Sequence, residues 1–250
     1  MNYVKAFIAI FKGLQLCLFE KSVRRLSIWP WLVGAVAYFG SIVSAYYLHP
    51  IVLSALVGTP DGWWASVVYY LAWFFIGLLL LVASMIVSVT LVLLLTAVFQ
   101  GDIVIAVLRL LGDEVPPQET GIKGLVKETS RTLVVESAKL LWLLPLIALV
   151  AVVGLIPVLT PFAVIAGAWL LAYQFVDVVL DIYRLRSRER FRYARKNGVL
   201  LTCFGFVIML CWAIPFMGIL LPPAAVAGAT WLLSESKLIP QSIPAKDGSQ

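Results

Sequence analysis

The fold class this sequence predicts is an all-α integral membrane protein, with two long transmembrane helices, two hemi-penetrating (re-entrant) helical hairpins and amphipathic cytoplasmic helices. Three observations predict it. Of 250 residues, 62% are hydrophobic and 13% charged, with a mean hydropathy of +1.00. An average soluble domain is about a quarter charged, so this chain lacks the polar material to cover a soluble surface, and it is far too apolar for disorder. Its charges fall in blocks separated by long bare runs. Several of those runs are short and broken by proline.

Residues 1–28 carry Lys5, Lys12, Lys21, Arg24 and Arg25 against Glu20. Tyr3, Phe7, Phe11, Leu14 and Leu18 recur at helical spacing, which suits a helix in the headgroup layer or one packed on its own protein. The lysines interrupt the apolar stretch and no small-residue cleavage site follows, so the segment reads as retained. Residues 29–100 hold the two long helices. Trp29 to His49 fits a single crossing of roughly 20 residues, with Trp29 and Trp31 at one end and Tyr46, Tyr47 and His49 at the other as an aromatic belt. It ends at the knee His49-Pro50. Trp63 to Gln100 is uncharged and too long for a simple crossing, about 57 Å at about 1.5 Å per residue.

The segment 101–139 is mixed in charge and reads as cytoplasmic. From Gly121 to Leu144 a helix carries Glu128 and Arg131, and Glu136 and Lys139, as i,i+3 pairs. They form a solvated face, or become pathway residues if the bundle buries them. Residues 140–176 form the first hairpin, broken by Pro145, Pro157 and Pro161, and residues 199–234 form the second, with Pro215 at its tip and Pro222-Pro223 opening Ala224 to Leu233. Proline removes a helix hydrogen bond and clashes with the preceding turn, and short apolar runs favour re-entry over full spans. Two pairs of short kinked crossings are the alternative. With Gly167 set on Gly228, six of eleven positions from Pro161 to Leu171 recur in the second hairpin, as in an internal repeat; chance likeness of Ala/Gly-rich membrane helices is the alternative. Paired proline-interrupted segments point to transporter binding sites.

Between the hairpins, 177–198 reads as a basic cytoplasmic helix opened by Asp177 and Asp181 and followed by six arginines, suited to anionic membrane lipid at about 1 kcal/mol per basic residue near the surface. No aromatic-interleaved RNA motif accompanies the charge, so nucleic acid is not expected. Residues 235–250 are a polar tail. Two crossings and two returning hairpins place all nineteen Lys and Arg in one compartment, which the positive-inside rule makes cytoplasmic, both termini included.

Catalytic motifs are lacking: there is no GxSxG, HExxH or phosphate loop, and one histidine, so the chain does not read as an enzyme. Cys17, Cys203 and Cys211 read as small buried hydrophobes, with no metal or other cofactor implied. The chemically informative cluster is Ser22-Val23-Arg24-Arg25, just ahead of the first crossing. A helix N-terminus attracts anions, and an arginine adds a planar fork matched to tetrahedral oxyanions. A positive-inside anchor would use the same residues.

Ser22-Val23-Arg24-Arg25-Leu26-Ser27-Ile28-Trp29-Pro30, Glu136-Ser137-Ala138-Lys139-Leu140, Tyr173-Gln174-Phe175-Val176-Asp177, Phe204-Gly205, Ile214-Pro215 and above all Pro223-Ala224-Ala225-Val226-Ala227-Gly228-Ala229-Thr230 follow in order along the chain. In these strings, over roughly residues 5–234, it resembles the bacterial CysZ-type sulfate permeases and the wider etoposide-induced-protein membrane family. The resemblance implies two long transmembrane helices with two hemi-penetrating hairpins, a homo-oligomer in the bacterial inner membrane, and inward passage of sulfate for cysteine biosynthesis. It also implies sulfate binding by a Gly-Leu-Arg loop, whose positions are here Ser22, Val23 and Arg24, with serine in place of glycine. The transporter or channel reading stands beside a second one, a non-transporting scaffold that binds anionic lipid and partner subunits. Small residues Ala37, Ser41 and Ala45 suit helix contacts in either.

Overall fold

The computed structural model describes residues 2–58, 60–116, 141, 143–150, 152–154, 156–214 and 217–240. Glu128, Arg131, Glu136 and Lys139, Pro215 and the end of the polar tail lie outside them. Every element among the described residues is helical: α1 Asn2–Phe19, α2 Lys21–Leu56, α3 Trp63–Leu111, α4 Leu143–Gly154, α5 Thr160–Ile182, α6 Ser187–Lys196, α7 Gly198–Trp212 and α8 Met217–Glu235. The chain forms two compact units, Leu32–Leu95 and the remainder.

The smaller unit is the pairing of α2 and α3. The expected knee at His49-Pro50 is not a break, since α2 continues through Pro50 to Leu56. A proline deletes one backbone hydrogen bond, and the helix on either side tolerates that loss. The reversal comes at Gly58 and Gly62, whose φ of +68° and +98° lie in the left-handed region open to glycine. His49 Nε2 sits 2.9 Å from the Trp73 carbonyl oxygen with its ring edge-on to Trp73. Gly77 leaves room for it, as a Cβ there would meet His49 Nε2 at 3.3 Å. Ser41 and Ser88 hydrogen-bond to each other, and both reach the Ala37 carbonyl.

In the larger unit, small residues set the packing. α1 lies antiparallel on α8: Lys5 Nζ pairs with Glu235 at 3.0 Å, and Ala9 and Gly13 meet Gly228 and Ala224. A Cβ on Gly13 would sit 2.0 Å from the Ala224 carbonyl oxygen, and one on Gly228 would sit 2.5 Å from that of Ala9. The Ala/Gly-rich string 223–230, the most specific in the sequence, is therefore a buried backbone-contact face. Where lipid is the solvent, close approach of backbones drives helix association. α4 lies antiparallel to α5, with Gly154 beside Ala163 and Val150 beside Gly167, and Thr160 Oγ1 donates to the Gly154 carbonyl at 3.0 Å to close the turn.

Gly205 in α7 permits the tightest contact. A Cβ there would fall 1.8 Å from the Ala168 carbonyl oxygen of α5. Overpacking a well-filled core costs about 1–3 kcal/mol, so Gly205→Ala is expected to lower the thermal midpoint in detergent. Gly40→Ala, where nothing lies within 4 Å, should leave it unchanged. Equal midpoints would remove this contact from the packing argument.

Several helices run further than the sequence suggests. Pro222 and Pro223 lie inside α8 rather than opening it. α3 continues past Gln100 to Leu111 because Ile103, Val104, Val107 and Leu108 recur on one face and are wholly buried. α5 continues past Val176 to Ile182, so Asp177 and Asp181 end the hairpin's second helix instead of opening a basic one. α5 and α8 are each long and apolar enough to cross a membrane, as are α2 and Trp63–Ser88 of α3, whereas α4 and α7 are short. α6 and α7 meet at a bend of 89°.

Candidate functional site

The candidate anion site is the first turn of α2. The loop expected there is a single residue, Glu20, whose N–H donates to Leu16 O at 3.1 Å to finish α1. The Glu20 carbonyl accepts the Arg24 N–H at 2.8 Å, the first bond of α2. The amides of Lys21, Ser22 and Val23 precede that bond, as the leading amides of any α-helix do. With the helix dipole they give this end of α2 partial positive charge.

The turn is held by its inner face. Val23, Ser27 and Pro30 are buried at helical spacing. Ser27 Oγ donates to Val23 O at 3.0 Å, and its side chain hydrogen-bonds the Cys17 thiol of α1. Burial pushes that thiol up to about 11, so Cys17 acts as packing and not as a nucleophile. One turn on, Trp31 Nε1 donates to the Leu220 carbonyl of α8 at 3.3 Å. Leu220 lies just before Pro222-Pro223, so the start of α2 is tied to α8.

On the outer face Ser22, Arg24 and Arg25 are exposed. Neither arginine takes part in the ion pairs formed among the described residues. Val23 is wholly buried, backbone included, so it presents no donor to solvent. The amides of two exposed residues, Lys21 and Ser22, a hydroxyl and two guanidinium groups thus share one helix turn. That donor set suits a multivalent oxyanion.

Asp177 belongs to a separate constellation. Arg190 Nη1 donates to Asp177 Oδ2 at 3.0 Å and lies 3.3 Å from Asp181 Oδ1, while Nη2 reaches Ser187 Oγ at 3.4 Å. The Arg190 and Asp177 side chains are only 5% and 1% exposed. Phe191 packs edge-on against the stacked pair Trp169–Tyr173 beside them. One arginine of the expected lipid-facing series is therefore internal, and it clamps α6 to the end of α5. Arg184, Arg186, Arg188, Arg192 and Arg195 are exposed to differing degrees. The sequence marks only the acidic half of this clamp, in the i,i+4 spacing of Asp177 with Asp181, which puts both on one helix face. Nearby, Tyr183 Oη donates to the Glu114 carbonyl at 3.2 Å, and burial together with the charges of Asp113 and Glu114 pushes its phenol up to about 12.

Among the described residues no group of three His, Cys, Asp or Glu side chains gathers to hold a metal ion.

The chain is similar to known proteins along most of its length. The family described as sulfate transporter CysZ/etoposide-induced protein 2.4 matches the chain over residues 9–223. The sulfate transporter CysZ of Pseudomonas fluorescens strain Pf0-1 is 28% identical over 229 residues, covering 88% of each chain. That of Pseudomonas aeruginosa strain PAO1 is 29% identical over 186 residues, 71% of this chain and 74% of the relative. That of Pseudomonas fluorescens strain Pf-5 is 31% identical over 138 residues, so the match spans about half the length of both.

Proposed function

This chain belongs to the sulfate transporter CysZ/etoposide-induced protein 2.4 family, and we propose from that membership that it is a multi-pass membrane transporter or channel passing sulfate or a related small oxyanion. The observation that carries the reading is the first turn of α2, where exposed Arg24 and Arg25 adjoin the leading amides of a helix whose inner face is buried. Arg24 binds the anion, the amides of Lys21 and Ser22 share its charge, and Arg25 and the Ser22 hydroxyl complete the shell. Serine at position 22, in place of the family glycine, fits a turn that is helical, where positive φ is not needed.

In this reading α2 and α3 cross the inner membrane and the two helical pairs enter and return on the cytoplasmic side. Limb length supports it: at about 1.5 Å per residue, α4 and α7 span about 18 and 22 Å, short of the roughly 30 Å hydrocarbon core. The exposed arginines of α6 and both termini then face the cytoplasm, where anionic lipid attracts them, and the protein works as a homo-oligomer. Passage is inward and supplies sulfate for cysteine biosynthesis.

The test is flux of radiolabelled sulfate into proteoliposomes holding the purified chain. Saturable uptake, reduced by competing tetrahedral oxyanions, is the expected result. Uptake no faster than in protein-free liposomes would overturn the transport reading in favour of the scaffold.

A further inference from the structure

A cavity of about 440 Å³ lies where α6 turns into α7, within the roughly 300–1,000 Å³ range of small-ligand sites. Arg195, Lys196, Asn197 and the first turn of α7 line it, with Tyr3 of α1 and Leu238 beyond α8 closing the other side. Its lining holds two cationic side chains and no carboxylate. Glu235, the acid nearest in sequence to Leu238, is already paired with Lys5 at 3.0 Å. Neither Arg195 nor Lys196 takes part in the ion pairs of the described residues.

The backbone beside these cations is unusual in one respect. Asn197 stands at the N-cap of α7, where asparagine normally accepts a hydrogen bond from the helix's leading amides. Here its side chain donates backwards, Nδ2 to the Tyr193 carbonyl at 3.1 Å, and makes no cap bond. The first bond into α7 is Leu201 N–H to Asn197 O at 3.1 Å. Gly198, Val199 and Leu200, whose amides precede that bond, line the cavity beside both cations. Charge, donors and room coincide.

We propose that this cationic cavity is a second oxyanion site, separate from the first turn of α2, that takes a phosphate- or sulfate-type group. Two sources supply that chemistry, a free divalent oxyanion and the phosphodiester of an anionic lipid. The cavity offers each the same partners, an arginine fork, an ammonium and backbone amides. The inference does not depend on the transport reading, because it requires only binding.

The experiment uses the full purified chain in neutral detergent with two probes: inorganic sulfate by equilibrium dialysis, and phosphatidylglycerol retained from mixed micelles, with phosphatidylcholine as reference. Arg195→Gln combined with Lys196→Gln should weaken phosphatidylglycerol binding tenfold or more, or remove one of two bound sulfates, whereas Lys12→Gln, at an exposed cation away from the cavity, leaves both in place. Loss of sulfate alone assigns a free-anion site, and loss of phosphatidylglycerol alone assigns a lipid-phosphate site. The charge-preserving pair Arg195→Lys with Lys196→Arg should bind within a few-fold of wild type. Independently of any variant, hydrogen exchange at Gly198–Leu200 should slow on adding the bound probe. Wild-type binding of both probes by the glutamine pair, or equal loss in the charge-preserving pair, would overturn the proposal. Neutralising Arg24 and Arg25 instead tests the α2 site, so the two readings fail separately.

Discussion

Arg24→Ala should cut sulfate affinity and flux by about one to two orders of magnitude while leaving the protein folded and inserted. A hydrogen bond to a charged group contributes about 1.5–3 kcal/mol, and about 1.4 kcal/mol is a tenfold change in affinity. Arg24 is exposed and the buried contacts of this turn are made by Val23, Ser27 and Trp31, so the substitution should not disturb the helix. Arg24→Glu should be worse, since it places a carboxylate where an anion must bind. Arg24→Lys should recover part of the affinity, because lysine keeps the charge and loses the fork. Flux titrated against sulfate concentration in the three variants measures the order. Unchanged half-saturation in Arg24→Ala and Arg24→Glu would remove Arg24 from the site.

Arg190→Leu should destabilise the protein by about 3–5 kcal/mol, the cost of leaving a buried ion-pair partner without its counter-charge. Its guanidinium serves Asp177, which is 1% exposed, and Asp181 together. Asp177→Asn should cost less, as Arg190 then keeps Asp181 and Ser187. Combining Arg190→Leu with Asp177→Leu should recover part of the loss, since replacing a whole buried pair by packed apolar groups is often neutral. Unfolding in mixed micelles gives the ranking. A single Arg190→Leu as stable as Arg188→Leu, whose arginine is exposed, would show that the clamp contributes nothing.

Much of this architecture is legible in the residues themselves, and the parts that are not have identifiable causes. Bare apolar runs and aromatic ends locate α2 and α3, because composition alone decides what lipid tolerates. Proline misleads. Pro50, Pro222 and Pro223 suggest boundaries, yet each sits inside a helix; around Pro222 and Pro223, contacts such as Gly13 on Ala224 hold the backbone where local propensity would let it break. At the site, Ser22–Arg25 are visible as a basic cluster ahead of a crossing. Their placement in a helical turn, and the burial of Val23 between two exposed neighbours, depend on α1 and α8. Arg190 is harder still. Its partner lies thirteen residues away across a turn, and one buried arginine among exposed ones carries no mark of its own.

The central claim is that an oxyanion rests on the first turn of α2. Anomalous diffraction from crystals of the full chain soaked in selenate, an isosteric stand-in for sulfate, locates that anion directly. Selenium density is expected within hydrogen-bond reach of the Ser22 amide and the Arg24 guanidinium. Density confined to other places, with none at this turn at saturating selenate, would contradict it.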